Sequence, residues 1–184
     1  MTEFTIHTPE TASAEAAAAL EDSQKNFGMI PNLHAVMAEA PKVLDAYKYL
    51  SKVFTETTLT PVQQNVIWLE INVLNECHYC VPAHTAIAYG AKVPEDVVES
   101  LRNKTPIADG KLEALRQFTR KVVEQRGHVA DADIQSFLSA GYTKANVLEV
   151  VLGAAHKTLS NYVNHIVDTP VDAAFQKFGW KSEG

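Results

Sequence analysis

Apolar residues recur at intervals of three and four positions along almost the whole chain, a spacing typical of amphipathic helices. The segment 32–57 shows this pattern most clearly, and the segment 143–167 extends it furthest without a proline. No stretch of useful length alternates apolar and polar residues with a period of two, which would indicate a strand. The pattern therefore predicts an all-α fold in the form of a helical bundle.

Residues that favour helix starts and stops divide this pattern into segments. Thr60 and Pro61 supply an N-cap and a proline at the first helical position, whereas Pro41 should break or kink the segment 32–57. The predicted helices cover residues 12–27, 32–57, 61–75, 77–89, a short stretch after Pro94, 109–126, 131–141, 143–167 and a last short helix with Phe175 and Phe178.

A weak internal repeat accompanies the helical pattern. Residues 65–67 (Asn-Val-Ile) are echoed by residues 146–148 (Asn-Val-Leu), and the same offset of 81 positions relates His84 to His165. The echo suggests a duplicated helical hairpin, and the alternative is a chance similarity between two amphipathic helices.

Composition and charge narrow the class of protein. With 46% hydrophobic and 21% charged residues, the chain is predicted to be one globular domain, residues 1–184, with a polar leader at 1–11. The net charge of −6 and the absence of Lys/Arg runs argue against a nucleic-acid partner. The sequence begins without a secretory signal and has no stretch of about 20 apolar residues, so we expect a cytoplasmic protein without membrane contact.

The two cysteines, Cys77 and Cys80, lie three positions apart, and His84 follows one helical turn later. On a helix all three share one face, where the imidazole could take the proton of the Cys80 thiol. The thiolate is the form that attacks peroxides and disulfides, and a second cysteine can trap the resulting sulfenic acid as a disulfide. The spacing therefore favours a thiol–disulfide redox site.

Other interpretations of the cysteine pair remain open. Zinc could use Cys77, Cys80 and His84, but the sequence offers no obvious fourth ligand, so we expect neither a metal nor a cofactor. Covalent haem would need a histidine directly after the second cysteine, and Val81 stands there. A pair of merely buried cysteines is the remaining alternative, because cysteine often behaves as a small apolar residue.

Four segments resemble the alkylhydroperoxidase D / carboxymuconolactone decarboxylase family. The central ones are 59–61 (Leu-Thr-Pro) and 75–84 (Asn-x-Cys-x-Tyr-Cys-x-x-x-His). The segments 27–32 (Phe-Gly-Met-Ile-Pro-Asn) and 159–165 (Leu-Ser-Asn-Tyr-Val-Asn-His) are similar to its peroxidase-related branch. The resemblance implies the all-α fold of alkylhydroperoxidase D and a homo-oligomer, either a trimer or a hexamer.

The resemblance also implies an activity, namely peroxide reduction in antioxidant defence. Cys80 would be the peroxide-reactive thiol, Cys77 the resolving thiol, and His84 a member of a proton relay. The partners would be a hydroperoxide substrate and a reductant, either a dithiol protein or a small thiol. The alternatives are a thiol–disulfide reductase or adaptor, and a non-redox protein like the decarboxylases of the family.

The sequence departs from the family where the relay needs a carboxylate. Members with peroxidase activity usually carry Glu twelve residues before the first cysteine, and Asn65 stands there. Glu70 is the nearest carboxylate, and we include it as a candidate catalytic residue. It is either a displaced relay acid or one half of an ordinary ion pair.

Two further questions stay open at this stage. The helix dipole favours Cys77 as the attacking thiol, whereas proximity to His84 favours Cys80. Polar residues of the long C-terminal segment could line the site, but we interpret them as hydrogen-bonded residues at a helix interface; these are His156, His165, Asn161 and Asn164.

Overall fold

A computed structural model describes residues 3–181, and within this range the chain forms helices and turns but no strand. Residues 1 and 2 of the predicted leader lie outside the described part. The helices are α1 (Ala14–Phe27), α2 (Asn32–Met37), α3 (Pro41–Thr55), α4 (Pro61–Leu74), α5 (Cys80–Gly90), α6 (Glu95–Arg102), α7 (Gly110–Glu124), α8 (Asp131–Ser139), α9 (Lys144–Val167) and a 3-10 turn at Gln176–Phe178. The all-α prediction is confirmed.

Local capping explains most of the helix boundaries. The Ser13, Thr60 and Thr143 side chains accept hydrogen bonds from backbone N–H groups in the first turns of α1, α4 and α9. Gly28 ends α1 in the left-handed conformation, with φ of 71°. Pro41 is the first residue of α3, so it separates α2 from α3, as the sequence predicted.

The predicted helix 77–89 is wrong at its start, because α5 begins at Cys80. Helix α4 ends with Glu76 in the left-handed conformation (φ 51°), and the Cys77 N–H then donates to the carbonyl of Asn72. This is the pattern of a Schellman cap, in which the residue after the left-handed one is tied back to the helix. Cys77 therefore belongs to the turn between α4 and α5.

The suggested duplication of a helical hairpin is also wrong. Residues 142–171 would have to turn where α4 turns into α5, yet α9 continues unbroken for 24 residues from Lys144 to Val167. No proline interrupts this stretch, and its glycine, Gly153, lies inside the helix. The resemblance between residues 65–67 and 146–148 is a chance similarity between the first turns of two helices.

Helix α4 lies at the centre of the bundle and packs against α5, α6, α7 and α9. Ten consecutive residues of α4, 64–73, are buried, so this helix is covered on all sides. One apolar cluster joins α4 to α6, α7 and α8, and a second joins the α1–α3 region to the turn with the two cysteines. Within residues 3–181, no helix combines the length and apolar character needed to cross a bilayer.

Candidate active site

The two cysteines lie where the turn after α4 meets the first residue of α5. Both are free thiols, and 0% of Cys77 and 1% of Cys80 is exposed. The Cys80 N–H donates to Cys77 Sγ over 3.2 Å, so Cys77 occupies a position like that of a helix-capping side chain. The end of α5 that carries positive partial charge thus lies at Cys80.

Helix α9 supplies the polar side chains that surround the cysteines. Four residues at spacings of three and four positions share one face, and each is 0% exposed: Lys157, Ser160, Asn161 and Asn164. Such a fully buried polar stripe is costly unless its members bind one another or a charged group.

The stripe contacts Cys80 directly. Asn164 Nδ2 donates to Cys80 Sγ over 3.1 Å and lies 3.8 Å from Cys77 Sγ. Ser160 Oγ lies 3.9 Å from Cys80 Sγ. Asn161 binds the Asn72 side chain, which fixes the amide next to the sulfur.

The two thiols have opposite acidities. Burial raises the pKa of Cys80, but the hydrogen bond with the Cys77 thiol, the charge of Lys157 and the neighbouring Asn161 and Ser160 outweigh it, so the pKa falls below its ordinary value. The same hydrogen bond, together with burial, raises the pKa of Cys77. Cys80 is therefore the more acidic of the two thiols and Cys77 the one that keeps its proton, which favours Cys80 as the attacking sulfur.

His84 lies on α5 one turn beyond Cys80, as the sequence predicted, but its hydrogen bond goes elsewhere. Nε2 of His84 is 2.8 Å from Nζ of Lys157, and the described residues offer no partner to Nδ1. Burial, and then the charges of Lys157 and His156, lower the pKa of His84 well below its ordinary value. No hydrogen bond joins His84 to either cysteine in the described part of the chain, and at neutral pH His84 is a neutral imidazole.

Glu70 forms a buried ion pair on the far side of α4. Its two carboxylate oxygens accept hydrogen bonds from Arg116 Nε at 2.9 Å and Arg120 Nε at 2.9 Å, and the side chain is 0% exposed. Of the two interpretations of Glu70, the geometry matches the ion pair. Asn65 donates to the Pro61 carbonyl over 2.9 Å, and its buried Oδ1 has no partner among the described residues.

A row of aromatic rings continues from His84 into the protein. Trp68 lies between two imidazoles, with ring centroids 5.1 Å from His84 and 5.8 Å from His156. Trp68 Nε1 donates to His156 Nδ1 over 3.1 Å, so neutral His156 carries its hydrogen on Nε2. Tyr47 covers the other side of His156, with a centroid distance of 4.8 Å. His84, at the end of this row, contacts Lys157, and neither side chain is more than 5% exposed.

Tyr79 connects the cysteine segment to α2 and to the chain that follows α9. Its hydroxyl donates to Asp172 Oδ2 over 2.5 Å and accepts from the Leu33 N–H over 3.3 Å. Asp172 Oδ1 in turn accepts from the Asn32 N–H over 3.0 Å. The intervening His78 is partly exposed and its Nε2 lies 3.1 Å from the Thr169 carbonyl. The segment 78–80 is thus held by contacts with α2 and with the chain after α9.

The structure brings together Cys77, Cys80 and several residues that the sequence analysis underestimated. Asn161 and Asn164 line the site rather than a remote interface, whereas His165 is exposed. Lys157, which had no predicted role, also lies here and contacts His84. The signal was present, because a lysine, a serine and two asparagines repeat with helical spacing in a largely apolar segment. Within residues 3–181, no group of three or more His, Cys, Asp or Glu side chains is arranged to hold a metal ion.

Comparison with known protein families identifies one matching family model. The model of the carboxymuconolactone decarboxylase family matches residues 38–121, a region that contains α3 to α5 and both cysteines. No curated protein matches the chain.

Solved structures share the fold at low sequence identity. An uncharacterized peroxidase-related protein from Ralstonia eutropha JMP134, an alkylhydroperoxidase AhpD core, is 19% identical with a TM-score of 0.84, covering 94% of this chain and 93% of its own. A peroxidase-related protein from Silicibacter sp. TM1040 is 18% identical with a TM-score of 0.81, covering 95% and 92%.

A third structure extends the range of chemistry found on this fold. The debrominase Bmp8, as a cysteine-to-alanine variant in complex with 2,3,4-tribromopyrrole, is 16% identical with a TM-score of 0.72, covering 87% of each chain. At these identities the likenesses establish the fold, which is the alkylhydroperoxidase type expected from the sequence.

Proposed function

Residues 38–121 belong to the carboxymuconolactone decarboxylase family, and on that premise we propose that the protein is a thiol-dependent peroxidase that reduces hydroperoxides through Cys80 and Cys77. The observation that carries the proposal is the polarised cysteine pair. Asn164 donates to the sulfur of Cys80, the pKa of Cys80 is lowered, and the protonated thiol of Cys77 lies against it. A buried thiolate next to a buried thiol supplies a nucleophile and a resolving group.

The reaction proceeds in two displacement steps. The Cys80 thiolate attacks one peroxide oxygen, so an S–O bond forms, the O–O bond breaks, and the leaving alkoxide takes up a proton. The sulfur of Cys77 then attacks Cys80, so an S–S bond forms, the S–O bond breaks, and water leaves. A dithiol reductant returns the disulfide to the reduced pair by thiol–disulfide exchange.

Burial of the pair bears on its substrates and reductants. Because at most 1% of either cysteine is exposed, a folded protein disulfide has no direct access to the sulfurs without local opening. This favours small hydroperoxides over the protein substrates of a reductase or adaptor, and a small dithiol over a dithiol protein as reductant. Repeated re-reduction suits a reducing compartment such as the cytosol.

The test is a single-turnover reaction of the reduced protein with one equivalent of hydrogen peroxide. We expect rapid loss of both thiols, with a peptide containing Cys77 and Cys80 lighter by two hydrogens in mass spectrometry. Cys80→Ser should abolish thiol loss, whereas Cys77→Ser should react once and leave a sulfenic acid that dimedone traps.

Matched assays separate this activity from the alternatives. A faster reaction with a protein disulfide than with peroxide would favour the reductase or adaptor, and equal rates would leave that alternative unsupported. Release of bromide from 2,3,4-tribromopyrrole without peroxide consumption would favour the chemistry of the debrominase. A pair that stays reduced in every assay would favour a non-redox protein and contradict the proposal.

A further inference from the structure

Lys157 is a cation enclosed by protein. Its side chain is 0% exposed, and no ion pair between residues 3 and 181 joins it to a carboxylate. A buried ammonium without an opposite charge is strongly disfavoured and tends to lose its proton. Burial lowers the pKa of Lys157, and the negative charge at Cys80 acts against this and stabilises the ammonium form.

Lys157 also has a neighbour through which its proton can leave. Nζ of Lys157 is 2.8 Å from Nε2 of His84, so an ammonium there donates to a neutral imidazole. His84 then carries its own hydrogen on Nδ1, a buried atom that has no partner in the described residues. A proton taken up at Nε2 and another released from Nδ1 would make His84 a relay.

We propose that Lys157 stores the proton of the cysteine pair: it is the ammonium counter-ion of the Cys80 thiolate and gives its proton up through His84 when Cys80 is oxidised. The inference rests on the proposed function, since it needs a Cys77–Cys80 pair that cycles between dithiol and disulfide. It also supplies what the relay lacks, because Asn65 stands where the family's peroxidases carry a carboxylate and Glu70 is bound by two arginines.

The protons balance within the site. The reduced site holds a Cys80 thiolate, a Cys77 thiol and a Lys157 ammonium. When Cys80 attacks the peroxide, the leaving alkoxide receives the Lys157 proton through His84, and the proton of Cys77 later departs with hydroxide as water. The oxidised site is then a disulfide with a neutral Lys157 amine, and no proton has been exchanged with solvent.

Other titratable groups near Lys157 keep their charge state through this change. From α3, Tyr47 has its pKa raised by burial and stays a neutral phenol. From α9, His156 has its pKa lowered by burial and by Lys157, and stays a neutral imidazole. Helix α4 faces this region with Trp68 and Asn72, which do not titrate. From α2, His34 has its pKa lowered to about 4 by burial and stays neutral, and the α7 arginines Arg116 and Arg120 are paired with Glu70.

The experiment measures the equilibrium of the Cys77–Cys80 pair of the full chain with dithiothreitol at several pH values, and thiolate by ultraviolet absorbance in the same samples. Peroxide is not needed, so the readout is independent of peroxidase turnover. If Lys157 loses its proton on oxidation, reduction takes up two protons even where Cys80 is a thiolate. Oxidation of dithiothreitol releases two protons below its thiol pKa, so the measured exchange constant of the wild type should not depend on pH. This corresponds to a reduction constant of the pair, for a donor of fixed potential, that changes about a hundredfold per pH unit.

Lys157→Arg is the sharpest variant, because arginine keeps its charge in both redox states. With a permanent cation and a Cys80 thiolate, reduction takes up one proton, and we expect a change of about tenfold per pH unit. Lys121→Arg, on the surface-exposed part of α7, is the matched control and should keep the wild-type dependence. Should Lys157→Arg fail to fold, Lys157→Met should lose at least about nine-tenths of the thiolate absorbance at neutral pH.

The possible results separate failure of the Lys157 inference from failure of the peroxidase proposal. A wild-type protein that holds a thiolate yet shows the tenfold dependence keeps the Lys157 proton in both states, which overturns the inference and leaves the peroxidase proposal standing. A wild-type protein without thiolate absorbance at neutral pH overturns the counter-ion role. A pair that cannot be oxidised at all contradicts the proposed function and the inference together.

Discussion

Asn164 Nδ2 lies 3.1 Å from the sulfur of Cys80, although 84 positions separate the two residues in the sequence. The amide donates to the thiolate, and a hydrogen bond to a charged group contributes about 1.5–3 kcal/mol. Helix α9 thereby stabilises the reactive form of a cysteine on α5.

Asn164→Leu keeps the volume of the side chain and removes this donor. We expect a higher pKa for Cys80 and a fall of about tenfold to a hundredfold in its rate of alkylation by iodoacetamide, measured at a pH below the Cys80 pKa of both proteins. Asn103→Leu, at an exposed amide that binds Glu99, is the control and should react like the wild type. An unchanged rate in Asn164→Leu would mean that the amide does not act on the thiolate.

The stability of the reduced protein should depend on pH through Cys80. Its pKa in the folded state is below its unfolded value, so the thiolate stabilises the fold above the unfolded pKa. This contribution is lost as the pH falls towards and through the folded pKa. Denaturant unfolding of the reduced protein and of Cys80→Ser should therefore differ most at mildly alkaline pH, and the difference should shrink on acidification. His84 and His156 are present in both proteins, so their protonation cancels in the comparison. A difference that grows on acidification would contradict the assignment of the thiolate.

Glu70→Gln should reduce stability without altering the thiolate. Removing one partner of a buried ion pair costs about 3–5 kcal/mol, because Arg116 would remain buried without its carboxylate. Glu15→Gln, in an exposed pair with Lys42, should leave stability nearly unchanged and serves as the control. Thermal unfolding measures both, and ultraviolet absorbance reports the thiolate. Normal stability combined with a lost thiolate would instead make Glu70 a relay acid.

Gly153→Ala should destabilise the contact between α9 and the helices beneath it. A methyl group there would lie 2.7 Å from Ile67 Cγ2 and 2.8 Å from Phe54 Cε2, and such overpacking costs about 1–3 kcal/mol. Gly90→Ala meets no atom within 4 Å at the end of α5 and should be neutral or stabilising by up to about 1 kcal/mol. Denaturant midpoints of the two variants give the comparison, and equal midpoints would show that the bundle relaxes around the methyl group.

Self-association is expected at the outer face of α9. Large apolar side chains lie exposed along it, and a second copy of the chain can cover them by pairing with the same face: these are Leu148, Val151, Tyr162 and Ile166. Ile166→Glu should lower the mass found by sedimentation equilibrium, whereas Lys144→Glu, at the start of α9, should not. A monomeric wild-type protein would refute the expected homo-oligomer.

Much of the fold could be predicted because its signals are local. Thr60 with Pro61, Pro41 and Gly28 each act on backbone groups within a few residues, so helix starts and stops follow from short stretches. The start of α5 was misplaced because Glu76 ends α4 in a left-handed conformation, which glycine would have signalled and glutamate does not.

The sequence by itself determined that two thiols lie close together, and the tertiary structure decided how acidic each of them is. Two cysteines three positions apart specify a thiol pair wherever the segment lies, because their proximity follows from chain geometry. Which sulfur is the thiolate, and which residues stabilise it, depend on Lys157 and Asn164, which reach Cys80 from another helix. Helical spacing indicates which side of α9 is buried but not what that side contacts, and a pKa responds to the contact.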